Sequence, residues 1–285
     1  QSLLDDIDRF EAIIVRVASI DAELIERATS LRVVSKHGVG LDNIDIDTAS
    51  AHGVVVCNTP GANSRAVAEH ALTLLLTVRK GVSRADRDVR NGEWARSRYI
   101  APEVGGTTFG LFGVGDIGSL VSEFGRGLGM DMVGYDPYVP AEAFPDGVEK
   151  VADKEAFFDR VDHVTVHTPL TPETEGAVGR DELAAIGPDG IVVNTARGGI
   201  VDEEALLAAL ESGDIGGAGL DVRVDEPPAP EDPLLERDDV VFSPHVAGAS
   251  ADALREMSRR AAANVRTVFD GGLPETTVNA DDLAD

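Results

Sequence analysis

Residues 107–118 read T-T-F-G-L-F-G-V-G-D-I-G, and their reading decides the fold. Gly113, Gly115 and Gly118 stand at the G-x-G-x-x-G spacing. The chain holds 30 glycines among 285 residues, so the spacing alone is a weak signal. Its context is stronger. The apolar run 108–112 predicts a strand and 117–128 a helix, and Asp136 closes a second apolar strand, 132–135, 18 residues after Gly118. That arrangement is the dinucleotide-binding fingerprint. Gly113 permits the tight turn, Gly115 lets a pyrophosphate approach the helix N-terminus, and Gly118 lets helix and strand pack closely. Asp136 is placed to accept hydrogen bonds from the adenosine ribose hydroxyls. The competing reading is a plain glycine turn followed by a surface aspartate.

On either side of this motif, strands alternate with helices, which predicts an α/β fold with parallel sheets. Upstream, 12–17, 31–35 and 54–57 read as short strands. Residues 21–29 read as a helix capped by Asp21. Residues 66–78 form a long apolar helix that continues into the polar stretch 83–91. Downstream, 164–167 and 191–194 are apolar enough for central strands. A helix over 203–212 ends at Gly213, and strands follow at 217–222 and 240–243. The last helix, 251–270, has no strand after it and is expected to return to the first unit. Two units result: 1–63 with 251–285, and 64–250.

The charge balance is extreme, with 51 acidic against 25 basic residues and a net charge of −26. Only four of the basic residues are lysines: Lys36, Lys80, Lys150 and Lys154. Such a surface argues against nucleic acid and anionic membranes as partners. It also strains the fold by self-repulsion, which molar salt screens over about 3 Å. A halophilic origin is therefore expected; the alternative is a protein that is merely acidic. The single Cys57 excludes an internal disulfide and fits a reducing cytoplasm. No apolar run nears the roughly 20 residues needed to span a bilayer, and Q-S-L-L-D-D-I-D-R-F has no signal-peptide pattern. Because it lacks an initiating Met, native residues are expected before Gln1. No cluster of Cys and His predicts a metal site.

Three segments place a reactive residue just beyond a strand, where open α/β sheets bind ligands. I-V-V-N-T-A-R-G-G carries Arg197, G-L-D-V-R-V-D-E-P-P carries Glu226, and V-V-F-S-P-H-V-A-G carries His245. A guanidinium matches the carboxylate of a 2-keto acid in a bidentate way. Hydride arriving at the carbonyl builds charge on oxygen, so an acid must deliver a proton, and His suits that role near neutral pH. A neighbouring Glu holds the ring and favours its protonated form. Singly, each residue is more often a solvated or satisfied loop residue. The other histidines (His37, His52, His70, His163, His167) keep that reading, His70 as a helix-packing residue and His167 near the cofactor but away from the chemistry.

Taken in order, these segments resemble a known family. With H-G-V-G-L-D-N-I-D, N-T-P-G-A-N-S-R-A-V-A-E-H-A, V-H-T-P-L-T-P-E-T and G-A-G-L-D-V, the chain resembles the D-isomer-specific 2-hydroxyacid dehydrogenases nearly end to end. That family includes 3-phosphoglycerate, glycerate and D-lactate dehydrogenases. The resemblance implies two doubly wound parallel-sheet domains, a Rossmann-type dinucleotide domain inserted into a smaller flavodoxin-like substrate domain. It implies that Arg197 binds and polarises the substrate, that His245 is the acid/base and that Glu226 is its partner. It assigns the backbone N–H groups of Val39 and Gly40 to the substrate carboxylate. NAD is expected against Thr59, Gly113, Gly115, Asp116, Ile117, Gly118, Asp136, Thr168, Pro169, Thr174, Thr195, Ala196, Arg197, Asp221, His245 and Gly248. A homodimer through the dinucleotide domain, partly through the helix at 66–78, is also implied.

Compared with the family, about one βα unit is expected to be missing before Gln1, and the C-terminal regulatory domain of some members is expected to be absent. Glu226 argues against the formate dehydrogenase branch, which carries Gln there. Arg16, Lys36 and His37 are expected near the substrate's distal end, which points to small polar keto acids such as glyoxylate, hydroxypyruvate or pyruvate, with or without a phosphorylated tail. Asp136, followed by no basic residue before Lys150, predicts NAD over its 2′-phosphorylated analogue. The rivals are an NAD-sensing, corepressor-like binding protein and a phosphite-type dehydrogenase.

Overall fold

The computed structural model describes residues 6–283. Residues 1–5 and 284–285, part of the expected domain ranges, lie outside the described residues. The chain forms two compact units, one being Ser64–Gly248 and the other the described part of Gln1–Asn63 with Ala249–Asp285.

The first unit begins with β1 (Ala12–Val15), α1 (Ala22–Arg27), β2 (Val33–Lys36), α2 (Ile46–Ala51) and β3 (Val55–Cys57). Asp21 caps α1 by accepting the Leu24 N–H at 3.0 Å, as its sequence position predicts. The helix α2 has no counterpart in the sequence reading. It spans six residues, and its decisive signal is the Asp45 cap on Thr48 N. The three strands are parallel in the order β1-β2-β3. Period-2 alternation divides their side chains. Ile13, Val34 and Val56 join the cluster with Leu24, Ile25 and Ala49, whereas Ala12, Val33, Val55 and Cys57 meet Val265 and Val268 of the last helix.

The second unit starts with α3 (Ser64–Lys80) and α4 (Val82–Arg90). The sequence reading joins these into one helix. Gly81 breaks it, at φ 61°, a left-handed conformation that glycine adopts readily. There follow β4 (Thr108–Phe112), α5 (Asp116–Gly127), β5 (Asp131–Tyr135), β6 (Val148–Lys150), α6 (Lys154–Phe158), β7 (His163–Val166), α7 (Arg180–Ile186), β8 (Ile191–Asn194), α8 (Glu203–Ser212), β9 (Gly217–Leu220) and β10 (Val240–Phe242). Seven parallel strands run β10-β9-β8-β7-β4-β5-β6. The order turns back at β4, so β4 and β7 flank the switch point where such sheets bind ligands. β7 and β8 are buried along their whole length, consistent with helices on both faces. The chain closes with α9 (Ala251–Phe269), capped by Ser250, which packs on β1, β2 and β3. Among the described residues, no helix is long and apolar enough to cross a membrane.

Candidate active site

The glycine loop sits at the switch point, and sterics account for its residues. A Cβ on Gly113, whose φ is 100°, would lie 2.7 Å from the His167 carbonyl carbon. One on Gly118 would lie 2.5 Å from Gly113 O. Both distances are too short for any other residue. A Cβ on Gly115 would meet nothing within 4 Å, so that glycine faces open space at the N-terminus of α5. Gly115 and Asp116 are exposed there, and Ile117 is half-buried. At the end of β5, Asp136 Oδ2 accepts Val114 N–H at 3.0 Å, and its Oδ1 accepts the Tyr138 and Val139 N–H groups at 3.0 and 3.2 Å. The carboxylate therefore both ties the glycine loop to β5 and stays fixed in place. Lys150 folds onto the same turn, donating to Val139 O at 2.5 Å and lying 5.3 Å from the Phe144 ring centroid. Sequence distance alone had hidden that cation.

On the other side of the switch point, His167 packs beneath the glycines. Its Nε2 lies 3.0 Å from Thr165 Oγ1, and burial pushes its pKa down to about 3, so the ring is neutral. Thr168 is half-buried. Thr174 Oγ1 donates to Pro169 O at 2.6 Å and accepts the Thr171 N–H at 2.8 Å, which closes the 169–174 loop on itself. After β8, the Thr195 hydroxyl oxygen is buried without a partner among the described residues, while Asn194 splints the next turn. Its amide accepts Ala196 N–H at 3.0 Å and donates to Arg197 O at 2.8 Å. The open face at Gly115, the fixed Asp136 carboxylate and the orphan Thr195 hydroxyl fit a dinucleotide.

β8, β9 and β10 are neighbours in the sheet, and the loops after them carry Arg197, Glu226 and His245. The first two loops touch: a Cβ on Gly198 would lie 2.0 Å from the Arg223 carbonyl carbon. Arg197 is half-buried, with Nη1 donating to Ala196 O at 2.7 Å. His245 Nδ1 lies 2.7 Å from Glu226 Oε2, which leaves Nε2 to face outward on an exposed ring. The other Glu226 oxygen accepts the Arg223 N–H at 3.1 Å. Arg223 is itself a splint that the sequence reading missed. Its side chain is 6% exposed and binds Glu203 twice at 2.9 Å and Asp232 at 2.6 Å. A cavity of about 380 Å³ opens beside this pair, lined by Arg223, Glu226, Pro227, Leu235, Phe242 and His245 among others.

Several expected residues are already engaged within the fold. Asp221 is 2% exposed, and its carboxylate holds the 243–247 turn. Thr59, in the first unit, is fully buried, with its hydroxyl donating to Gly38 O at 3.0 Å. In that unit Val39 is exposed, its carbonyl accepts from Asn58 Nδ2 at 3.0 Å, and Gly40 is half-buried. Lys36 is buried, with Nζ donating to Arg16 O at 2.7 Å and to Asn43 Oδ1, and His37 Nε2 turns to Leu254 O and Ser258 Oγ. Both side chains are thus tied to neighbours in their own unit; Arg16 is exposed. His70 is more than a packing residue, because its Nε2 lies 2.7 Å from Ser243 Oγ. Gly248 ends the second unit, half-buried.

Residues 72–247 match the model of the D-isomer specific 2-hydroxyacid dehydrogenase, NAD binding domain. A D-3-phosphoglycerate dehydrogenase of Archaeoglobus fulgidus is 40% identical over 254 residues, 89% of this chain and 48% of that protein. The chain thus spans about half the length of the curated relatives it matches. Among solved structures, a Thermus thermophilus protein superposes with a TM-score of 0.90 at 34% identity, covering 97% of this chain and 88% of that one. An NADPH-dependent glyoxylate/hydroxypyruvate reductase of Sinorhizobium meliloti gives 0.87 at 34%, covering 96% and 86%.

Proposed function

Because the chain belongs to the D-isomer-specific 2-hydroxyacid dehydrogenases, we propose that it interconverts a small polar 2-keto acid and its D-2-hydroxy acid with NAD(H). The observation that carries this reading is the 2.7 Å contact between His245 Nδ1 and Glu226 Oε2. A carboxylate only accepts, so Nδ1 carries the proton and Nε2 is the nitrogen that exchanges one with substrate. NADH, when bound, supplies the hydride to the keto carbon. Arg197 binds the carboxylate and polarises the carbonyl, and His245 gives the new alkoxide its proton. Glu226 holds the ring and balances its charge. In the reverse direction His245 takes the hydroxyl proton.

The names of the curated relatives make a phosphorylated three-carbon acid the first substrate to try. The test is NADH oxidation in molar KCl with glyoxylate, pyruvate, hydroxypyruvate and its 3-phosphate, and a branched keto acid. Turnover with a small polar member supports the reading. Turnover with none, or only with the branched acid, overturns it.

The same proposal includes a homodimer and a salty cytoplasm. α3 uses its apolar face on its own sheet, whereas α4 has no buried residue and exposes Val82 and Val89, with Trp94 and Ile100 at 70% and 84% exposure beyond it. These groups favour α4 and the following segment as the contact between copies. Sedimentation at a monomer's mass in molar salt would exclude it.

A further inference from the structure

The side chain of His70 has no role in the chemistry above, yet it is bonded to the turn that carries His245. His70 lies on α3, which packs across β8, β9 and β10. Its Nε2 is 2.7 Å from Ser243 Oγ. Ser243 has one hydroxyl proton, and that proton goes to Asp221 Oδ1 at 2.5 Å, since a carboxylate only accepts. Ser243 must therefore accept from His70, which makes Nε2–H the required tautomer.

The buried Asp221 passes the constraint on. Its Oδ1 also accepts Val246 N–H at 2.9 Å, its Oδ2 accepts Ala247 N–H at 2.8 Å, and its carbonyl accepts His245 N–H at 2.8 Å. One connected set of hydrogen bonds thus runs from α3 to residues on both sides of His245. His245 needs it: at φ 53° it is the single non-glycine residue with positive φ among the described residues. A conformation of that kind persists only when its surroundings impose it.

We propose that His70 is a positioning residue which, through Ser243 and Asp221, holds the 243–247 turn so that His245 Nε2 meets the substrate. The proposal rests on the dehydrogenase reading, with His245 as the acid/base. If His70 merely filled space, an apolar residue of similar size would replace it without consequence. Three variants separate the two roles: His70→Leu, His70→Gln, whose amide N–H reaches about as far as imidazole Nε2, and Ser243→Ala.

His70→Leu and Ser243→Ala are each expected to lower kcat roughly 10- to 100-fold, as small misplacements of a reacting group do. KM for NADH should change little. The double variant should be no worse than the poorer single, because both changes break one chain. His70→Gln should recover most of the loss. A second readout needs no turnover: the NMR signals of the His245 ring, followed against pH, should change in His70→Leu and return in His70→Gln.

An active parent whose kcat and His245 signals survive both His70→Leu and Ser243→Ala overturns the proposal. An inactive parent with coupled His245 signals overturns the dehydrogenase reading and leaves the positioning role standing. If His70→Leu does not fold, Ser243→Ala decides by the same two measurements.

Discussion

Glu226 Oε2 and His245 Nδ1 stand 2.7 Å apart on two loops that leave adjacent strands, β9 and β10. The sheet sets the spacing of the loops, and the Arg223 N–H fixes the other Glu226 oxygen. The pair is therefore preorganised by backbone. His245→Ala should lower kcat by at least roughly 10²-fold, the usual loss of a general acid or base, while NADH affinity changes little. Glu226→Gln should leave the ring hydrogen-bonded but remove the carboxylate that balances the charge on His245, so kcat should fall while NADH affinity changes little. Near-parent turnover in either variant would remove that residue from the mechanism.

The glycine loop should allow binding to be separated from folding. Gly118→Ala brings a Cβ to 2.5 Å from Gly113 O, an overpacking expected to cost about 1–3 kcal/mol. For a chain of this size that lowers Tm by several degrees, at roughly 2–4 °C per kcal/mol. Gly115→Val puts its side chain into open space, in the β region, so Tm should hold while NADH affinity collapses. Melting curves and NADH fluorescence titrations on both variants check the contrast. Equal behaviour of the two would mean that Gly115 does not face the dinucleotide.

Much of this was legible in the sequence. β4, β7, β8 and β9 are apolar runs that a two-sided parallel sheet demands, and the glycines declare their own turn. Elements decided by partners were not legible. β6 has three residues, one of them the exposed Glu149, and exists because β5 pairs with it. α6 and α7 are too short for a helical period to show. In the site, His245 and Glu226 follow from local motifs. The roles of Asp221, Lys36 and His70 depend on hydrogen bonds across 22, 20 and 173 residues, which no local pattern encodes.

His163 gives the fold an acid limit. It is 1% exposed at the start of β7, neither ring nitrogen has a partner among the described residues, and burial, with the nearby Arg79 charge, pushes its pKa down to about 4. The unfolded chain, with a His pKa of about 6.5, binds the extra proton first as pH falls. Stability from this residue is therefore complete above about pH 6.5 and is lost towards pH 4, by about 3 kcal/mol in all. His163→Leu should remove that component, so its stability advantage over the parent in urea melts should grow from pH 7 to pH 4. A constant difference would show that His163 does not titrate with folding.

Salt should stabilise the protein. The net charge of −26 is carried largely on exposed carboxylates, and many of the ion pairs are exposed ones worth little each. Screening the excess charge should therefore outweigh weakening those pairs. Tm is expected to rise from low to molar KCl. A flat or falling Tm would remove the argument for a salty cytoplasm.

Asp136 should make NADH the preferred reductant. Its carboxylate is pinned by three backbone N–H groups, from Val114, Tyr138 and Val139, so it is not free to swing away from a 2′-phosphate. A ribose 2′-hydroxyl can donate to it, whereas a phosphate only repels it. Lys150, which folds onto the same turn, is held by Val139 O and the Phe144 ring. High salt weakens distant repulsion but not a clash at hydrogen-bond distance. The lost bond and the clash together should favour NADH by about 10²-fold in kcat/KM. Asp136→Ala should shrink that ratio, chiefly by raising activity with NADPH, and Lys150→Met should not change it. If the parent uses both cofactors equally and Lys150→Met then loses NADPH, the lysine, not the carboxylate, governs the choice.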